Sequence, residues 1–391
     1  MTLNDAARIL ETELPETMDS FASYSEDLCT SSLINSLQEK YDLFGEYYGK
    51  VHEALELIKK DEAMHLWLES ACRYYQKADH DHARDLPVPL QDGSLARDFL
   101  PLFVMLPTVE DTYAHYRKRS FTHEETVGFL GCVKLNLSIV ENRILGRPAL
   151  TTGYFRWLAH YMKCTIFDYG GLNFELKRAP KTAYFLKSRT DGTVAALACR
   201  EVHRSGMPLG CAGFEDEEGS FSASFEETAS AYVGHPVKGF RIQKKKEAFS
   251  KEEWELFVSE TDEILNVHIP RGTDLSPEKV RLAYRGALEI VKEKYPDYQP
   301  KAFLCSSWLM DPTLHHILGK DSKISQFGAP YLRLPNKSAG KEVFSFVFRP
   351  KDAEDLTKLS ENTRLERALK EMYLRGEFIY AYTGILPYEK L

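Results

Sequence analysis

From Ile264 to Pro277 the chain reads Ile-Leu-Asn-Val-His-Ile-Pro-Arg-Gly-Thr-Asp-Leu-Ser-Pro. The apolar, β-branched run from Ile264 to Ile269 predicts a strand, and Pro270 stops it. Pro270 to Ser276 is a loop. Ser276 as N-cap and Pro277 in the first helical position predict a helix to about Lys294. Working outward, Ala302 to Trp308 predicts a second strand and Pro312 to Leu318 a short helix. Two further strands, Pro330 to Leu334 and Val343 to Phe348, precede a last helix capped by Asp352. Upstream, Ser250 with Glu253 reads as a capping box opening a short helix. Thr182 to Ser188 and Thr193 to Val202 flank Arg189-Thr190-Asp191-Gly192, where Asp-Gly signals a hairpin, and Leu172 to Lys177 precedes it as a strand. The second half of the chain is α/β.

The first half has a different period. Leu37, Tyr41, Phe44, Tyr48, Val51, Leu55 and Ile58 recur in steps of four and three, one apolar stripe on a long helix. Met64, Leu68, Ala71 and Tyr75 form a second stripe. Leu130, Val133, Leu137, Val140 and Ile144 form a third, with a capping box at Thr122 and Glu125 upstream and stop signals at Gly146 and Pro148. Between them lie a polar, histidine-bearing loop at Asp79 to Asp85 and an apolar segment at Leu95 to Pro107. At 391 residues, two domains are expected: a helical one over 1–160 and an α/β one over 161–391.

Composition narrows the class. With 50 Lys and Arg against 58 Asp and Glu, the net charge of −8 disfavours nucleic acid or an anionic membrane as partner. No apolar run is long enough to span a bilayer, and Met1 to Arg8 lacks the pattern of a signal peptide. The seven cysteines are odd in number, widely spaced and without a CxxC pair. That fits reduced thiols in the cytoplasm and gives no metal site.

Chemistry is best placed at the loop before Pro277. A helix N-terminus offers free backbone N–H groups and the positive end of the helix dipole, which suit a phosphate or pyrophosphate. Arg271 adds a charged donor there, and Gly272 permits close backbone approach. Asp274 opposes an anion unless its carboxylate is turned to the helix. An ordinary βα connection is the plainer alternative.

The order strand, phosphate-type loop, helix, strand, short helix and closing strands resembles the carboxyl-terminal part of the GNAT acyltransferase fold. Asn266-Val267-His268-Ile269-Pro270-Arg271-Gly272-Thr273-Asp274-Leu275 and Phe303-Leu304-Cys305-Ser306-Ser307-Trp308-Leu309 are similar to a two-part bacterial acyltransferase family. Its members carry an N-acyltransferase N-terminal domain followed by a GNAT-like C-terminal domain. Phe167-Asp168-Tyr169-Gly170-Gly171-Leu172-Asn173-Phe174-Glu175 resembles the joint between those halves. The resemblance implies an all-helical first domain, then a mixed-sheet acyltransferase domain that uses acetyl-CoA or another acyl-CoA.

It further implies that strands Ile264–Ile269 and Ala302–Trp308 splay around the pantetheine. The pyrophosphate would be held by Ile269, Arg271, Gly272, Thr273 and Ser276, although Asp274 and Ser276 stand where the family pattern favours small residues. An amine of a small-molecule acceptor would attack the thioester directly. His268 would serve as base, with a backbone N–H near it as oxyanion donor, and Ser306, Cys305 or Tyr331 would protonate the leaving thiolate. A covalent acyl-cysteine on Cys305, activated by His268, is a further route. The rival expectation is a binding or structural protein of this fold without CoA.

Weaker clusters favour plain readings. Asp79-His80-Asp81-His82 is expected as a solvated loop and His315-His316 as diverging helix residues. Asp311 with His315 reads as local helix support, and Lys244-Lys245-Lys246 and Glu215-Asp216-Glu217-Glu218 as solvated charge.

Overall fold

The computed structural model describes residues 28–391, so Met1 to Arg8 lies outside the described residues. These residues divide into two compact units, the first ending at Phe167 and the second running from Asp168 to Leu391. The first unit is helical. Its 37–58 stripe, expected as one helix, is carried by two, Ser31–Tyr41 and Tyr48–Lys60. The break is Asp42, which adopts the left-handed conformation (φ 47°, ψ 46°) and donates its N–H to the Gln38 carbonyl. Both helices still turn the stripe inward, burying Leu37, Tyr41, Val51, Leu55 and Ile58. Each such side chain contributes about 1.5–3 kcal/mol by leaving water.

The second stripe lies on helix Glu62–Lys77, and the apolar segment forms helix Leu95–Met105, capped by Ser94. The capping box at Thr122 and Glu125 opens helix His123–Leu130. The expected loop at Asp79–Asp85 is instead a helical turn, His80–Arg84. Asp79 caps it by accepting from the His82 N–H at 2.9 Å, a local bond that a polar composition alone conceals.

The second unit is built on a six-stranded sheet. Its strands are β1 (Ile166–Tyr169), β2 (Leu172–Arg178), β12 (Glu263–His268), β13 (Ala302–Ser307), β15 (Tyr382–Pro387) and β14 (Leu332–Pro335), in that spatial order. Strands β12 and β13 are parallel; β2–β12, β13–β15 and β14–β15 are antiparallel. The crossover between the parallel strands is helix Pro277–Lys294, as read from Ser276 and Pro277. Its buried face (Ala283, Tyr284, Ala287, Val291) lies on one side of the sheet, with the Tyr284 ring stacked on Phe303 at 4.4 Å between centroids.

A second sheet covers the other side. It is inserted between β2 and β12 and includes the predicted hairpin, β3 (Ala183–Ser188) and β4 (Val194–Ala198), with β8 (Ala231–Lys238), β10 (Glu247–Ser250) and β11 (Trp254–Val258); β7 (Phe225–Glu227) and β9 (Arg241–Ile242) pair with β8, and β5 (Arg200–Val202) with β6 (Phe221–Ala223). Ala183, Phe185, Val194, Ala196 and Val258 pack on Ile264, Ala302, Leu304, Leu334 and Ile385 in one core. The insertion begins and ends at one point, where the Ala179 N–H donates to the Asp262 carbonyl at 2.9 Å.

Three expectations fail here. Ser250 and Glu253 do not open a helix. The Ser250 hydroxyl accepts from Glu252 N–H at 3.2 Å and its carbonyl from Glu253 N–H at 3.1 Å, closing a turn between β10 and β11. The same side-chain chemistry serves both ends. Val343–Phe348 is not a strand: Glu342–Phe346 is a short helix, packed through Val343 and Phe344 in a local cluster with Trp308 and Tyr373. Asp352 caps only a 3-10 turn, through Arg349 N–H at 2.9 Å, and the last helix is Arg364–Leu374, capped by Thr363 with Glu366. Strand β15 escaped notice because all six of its residues are buried, which removes the alternation that marks a strand. No helix among the described residues is long and apolar enough to cross a membrane.

Candidate active site

The parallel strands share ladder positions only at Leu265 with Phe303 and Asn266 with Leu304. Beyond these, each keeps only its outer partner. Strand β12 stays paired with β2 through His268 and Asn173, and β13 with β15 through Ser307 and Tyr382. The two therefore part at their carboxyl ends, which is the splay expected from the resemblance. Successive side chains on a strand point to opposite faces, so this register sorts the residues. Asn173, Glu175, Asn266, His268, Leu304, Ser306 and Thr383 share one face. Phe303 and Cys305 share the face covered by helix Pro277–Lys294.

On the first face a polar group has formed. Glu175 is buried, and its Oε2 accepts from Asn266 Nδ2 at 2.6 Å and from His268 Nε2 at 2.8 Å. A carboxylate only accepts, so the histidine tautomer that fits carries its proton on Nε2 and its lone pair on Nδ1. Lys177 Nζ lies 3.4 Å from Glu175 Oε1. These donors compensate a charge that burial would otherwise make costly. Asn266 turns its amide N–H to the carboxylate, and its Oδ1 is left buried without a hydrogen-bond partner. His268 remains 29 % exposed, so its ring is within reach of a ligand. Ser306 is exposed on the same face, its hydroxyl 2.8 Å from that of Thr383.

Cys305 and Tyr331 stand elsewhere. Cys305 is 1 % exposed, and burial pushes its thiol up to about 12. It points away from His268, into the helix side. Tyr331 is buried too, its hydroxyl bonded to that of Tyr284, and burial raises both phenols well above their ordinary value. The structure thus brings His268 and Ser306 to one face and separates Cys305 and Tyr331 from them.

The loop residues gather at the start of helix Pro277–Lys294. Gly272 takes φ +81° with open space around it. Thr273 Oγ1 donates to the carbonyls of Pro270 (2.7 Å) and Gly171 (2.9 Å), locking the loop to the β1–β2 turn. Arg271 is exposed and bonds the Phe346 carbonyl at 2.9 Å, and Ile269 is half-buried. Ser276 makes no side-chain cap, so the first amides of the helix stay open to an acceptor. Asp274 turns towards the helix: it accepts from Ser276 N–H at 3.1 Å and pairs with Lys323 (2.7 Å) and Lys279 (2.9 Å). These bonds, with Lys323 first, hold its carboxyl well below the usual range. Three cations, Arg271, Lys279 and Lys323, therefore ring the helix start, with one internal anion among them.

The β1–β2 turn explains the Tyr169-Gly170-Gly171 motif. A Cβ on Gly170 would lie 2.7 Å from Ala283 Cβ, and one on Gly286 would fall within the Tyr169 ring. Only glycines permit the turn to press onto the helix that carries the cationic loop. The role of Glu175 was not read from the sequence, since its partner His268 is 93 residues away. The sole signal was an acidic residue set between the apolar Phe174 and Leu176.

The remaining clusters are locally engaged. Asp311 accepts from Thr313 and Tyr380 N–H at 2.8 and 2.7 Å rather than meeting His315. His315 and His316 diverge with ring planes 85° apart. Asp216 pairs with Arg204 and His203, and Lys244 reaches the Gly219 carbonyl.

Residues 166–386 match the family described as GNAT-like C-terminal domain. Three solved structures share the fold over 99 % of both chains. They are an acyltransferase mutant in complex with octanoyl-CoA (17 % identity, TM-score 0.65), an acyltransferase with decanoyl-CoA (17 %, 0.64) and an acyltransferase with CoA and 10C-teicoplanin (16 %, 0.63). No curated protein matches the chain.

Proposed function

Because the chain belongs to the GNAT-like C-terminal domain family, we propose that it is an acyl-CoA-dependent N-acyltransferase acting on an amine of a small-molecule acceptor. The observation that carries this reading is the parting of β12 from β13 beside the His268–Glu175 pair. A thioester lying in that gap meets a base, backbone donors and a hydroxyl pair without any covalent help from the protein. The acceptor amine attacks the carbonyl carbon and passes its proton to His268, and the Glu175 carboxylate stabilises the imidazolium that results. Backbone N–H groups at the unpaired end of β12 steady the oxyanion. The C–S bond then breaks, and Ser306, backed by Thr383, relays a proton to the thiolate, its own being replaced through solvent by the one His268 took from the amine, so that both groups end as they began.

Arg271, Gly272, Thr273 and the amides after Ser276 hold the pyrophosphate, with Ile269 flanking the pantetheine and Lys279 and Lys323 as further cations. Medium-length acyl groups are supported by the octanoyl-CoA and decanoyl-CoA held by acyltransferases of the same fold, and a bulky small-molecule acceptor by the teicoplanin compound. The cysteines all carry free thiols, which supports a cytoplasmic setting.

A thermal-shift titration with acetyl-, octanoyl- and decanoyl-CoA tests this. A ligand that binds only the native state adds about 2.7 kcal/mol of apparent stability at roughly a hundredfold excess over Kd. Arg271→Glu is expected to reduce the shift. Asp274→Asn is expected to increase it, because two lysines are released from their internal anion. No shift at millimolar concentration with any of the three overturns the reading. It would favour the alternative, a non-catalytic protein of this fold, for which Asp274 already occupying both lysines is the supporting observation. Cys305→Ala is expected to keep turnover within about threefold, whereas an acyl-cysteine route would lose it by orders of magnitude.

A further inference from the structure

Two thiols in the helical unit converge on one acceptor. Cys29, just ahead of helix Ser31–Tyr41, donates to the Phe103 carbonyl at 3.2 Å, and Cys72, in the middle of helix Glu62–Lys77, reaches the same oxygen at 3.6 Å. Sharing one carbonyl brings the two sulfurs to the same point of the fold, and burial first, then the neighbouring Cys29 thiol, pushes the Cys72 thiol well above its ordinary value. Their surroundings differ. Cys72 is fully buried, while Cys29 is half-buried and lines a cavity of about 200 Å³ with His65 and Glu69 at its polar edge and Leu55 and Leu68 at its apolar one. One thiol therefore faces a cavity that His65 also lines, and the other is enclosed.

We propose that Cys29 and Cys72 form a peroxide-responsive modification site, Cys29 being the thiol attacked and Cys72 the one that resolves it. The Cys29 sulfur, as thiolate, attacks one oxygen of hydrogen peroxide; the O–O bond breaks, giving a sulfenic acid and a hydroxide that takes up the proton the thiol released and leaves as water. The Cys72 sulfur then displaces hydroxide from that sulfenic acid, forming the S–S bond and a second water. Two thiols are oxidised and one peroxide is reduced. Of the other cysteines, Cys132, Cys164, Cys211 and Cys305 are buried and Cys199 is half-buried; Cys164 donates to the Thr112 carbonyl and Cys211 to the Asn336 carbonyl. The inference does not depend on acyl transfer, since every residue in it belongs to the helical unit.

The test treats the full chain with submillimolar hydrogen peroxide and follows intact mass, then maps peptides without reduction. The expected product has lost the mass of two hydrogens, carries a Cys29–Cys72 cross-link and returns to the starting mass with dithiothreitol. Closing a loop of this length should also raise the melting temperature by about 5 °C or more. Cys29→Ser, at the half-buried site, should abolish the cross-link. Cys72→Ala should leave Cys29 to gain oxygen instead. Added oxygen at Cys29 in the unsubstituted protein, a cross-link to another cysteine, or an unchanged mass overturns the proposal, and none of these outcomes relies on a variant folding.

Discussion

Replacing His268 by alanine is expected to lower turnover by about 10²–10⁴-fold while leaving acyl-CoA affinity within about twofold. The separation follows from position. His268 closes β12 on the face opposite helix Pro277–Lys294, whereas the cations that would hold the pyrophosphate ring the start of that helix. A base contributes only while a proton is moving, so its loss falls on kcat and spares binding. Glu175→Gln sharpens the test. The amide still accepts a hydrogen bond from His268 Nε2 but no longer stabilises a charged ring, so kcat should fall by a smaller factor with the fold retained. Single-turnover kinetics at saturating acyl-CoA measures both. Unchanged turnover in His268→Ala would remove the base assignment and leave the binding site standing.

The second large effect is structural. Gly170→Ala is expected to destabilise the sheet unit by about 2–4 kcal/mol, seen as a fall in melting temperature of roughly 10 °C. Two costs combine there. Gly170 sits at φ +60°, which side chains rarely adopt, and the new methyl would lie 2.7 Å from Ala283 Cβ and 3.0 Å from its Cα. Backbone cannot yield as a flexible side chain can. Ala283→Gly in the same chain should return part of the loss by removing the clash while leaving the φ penalty. If the double variant is no more stable than the sum of the two singles predicts, the contact is not the cause. Acyl-CoA affinity should fall together with stability in Gly170→Ala, because the turn braces the cationic loop through Thr273.

The parts of this fold that the sequence displays are those held by local signals. The strand at 263–268, the helix at 277–294 and the strand at 302–307 each rest on an apolar run or a Ser-Pro start, and they stand within a residue or two of where they were expected. What depended on packing was not legible. Strand β15 is buried on both faces, the 342–346 helix is settled by its aromatic neighbours, and the single stripe at 37–58 broke where one aspartate takes a left-handed turn. The candidate site follows the same division. His268 and Ser306 could be picked from their strands, but the pleat that puts Cys305 on the other face needs the register of two strands, Asn266 against Leu304, 38 residues apart, to be known. Glu175 needs a third strand. The covering sheet was visible only as a hairpin, since its remaining strands pair out of order.

The Ala179–Asp262 bond at the neck of the covering sheet has an evolutionary meaning. The chain leaves β2 and re-enters β12 at adjacent points, so the whole excursion is topologically a very long hairpin loop. Lengthening a loop costs little entropy once its ends are already together. The excursion can therefore be remodelled, shortened or exchanged without shifting the ladder that sets Glu175 against Asn266. Change in the excursion and constancy of the Glu175–His268 pair are therefore compatible in one chain.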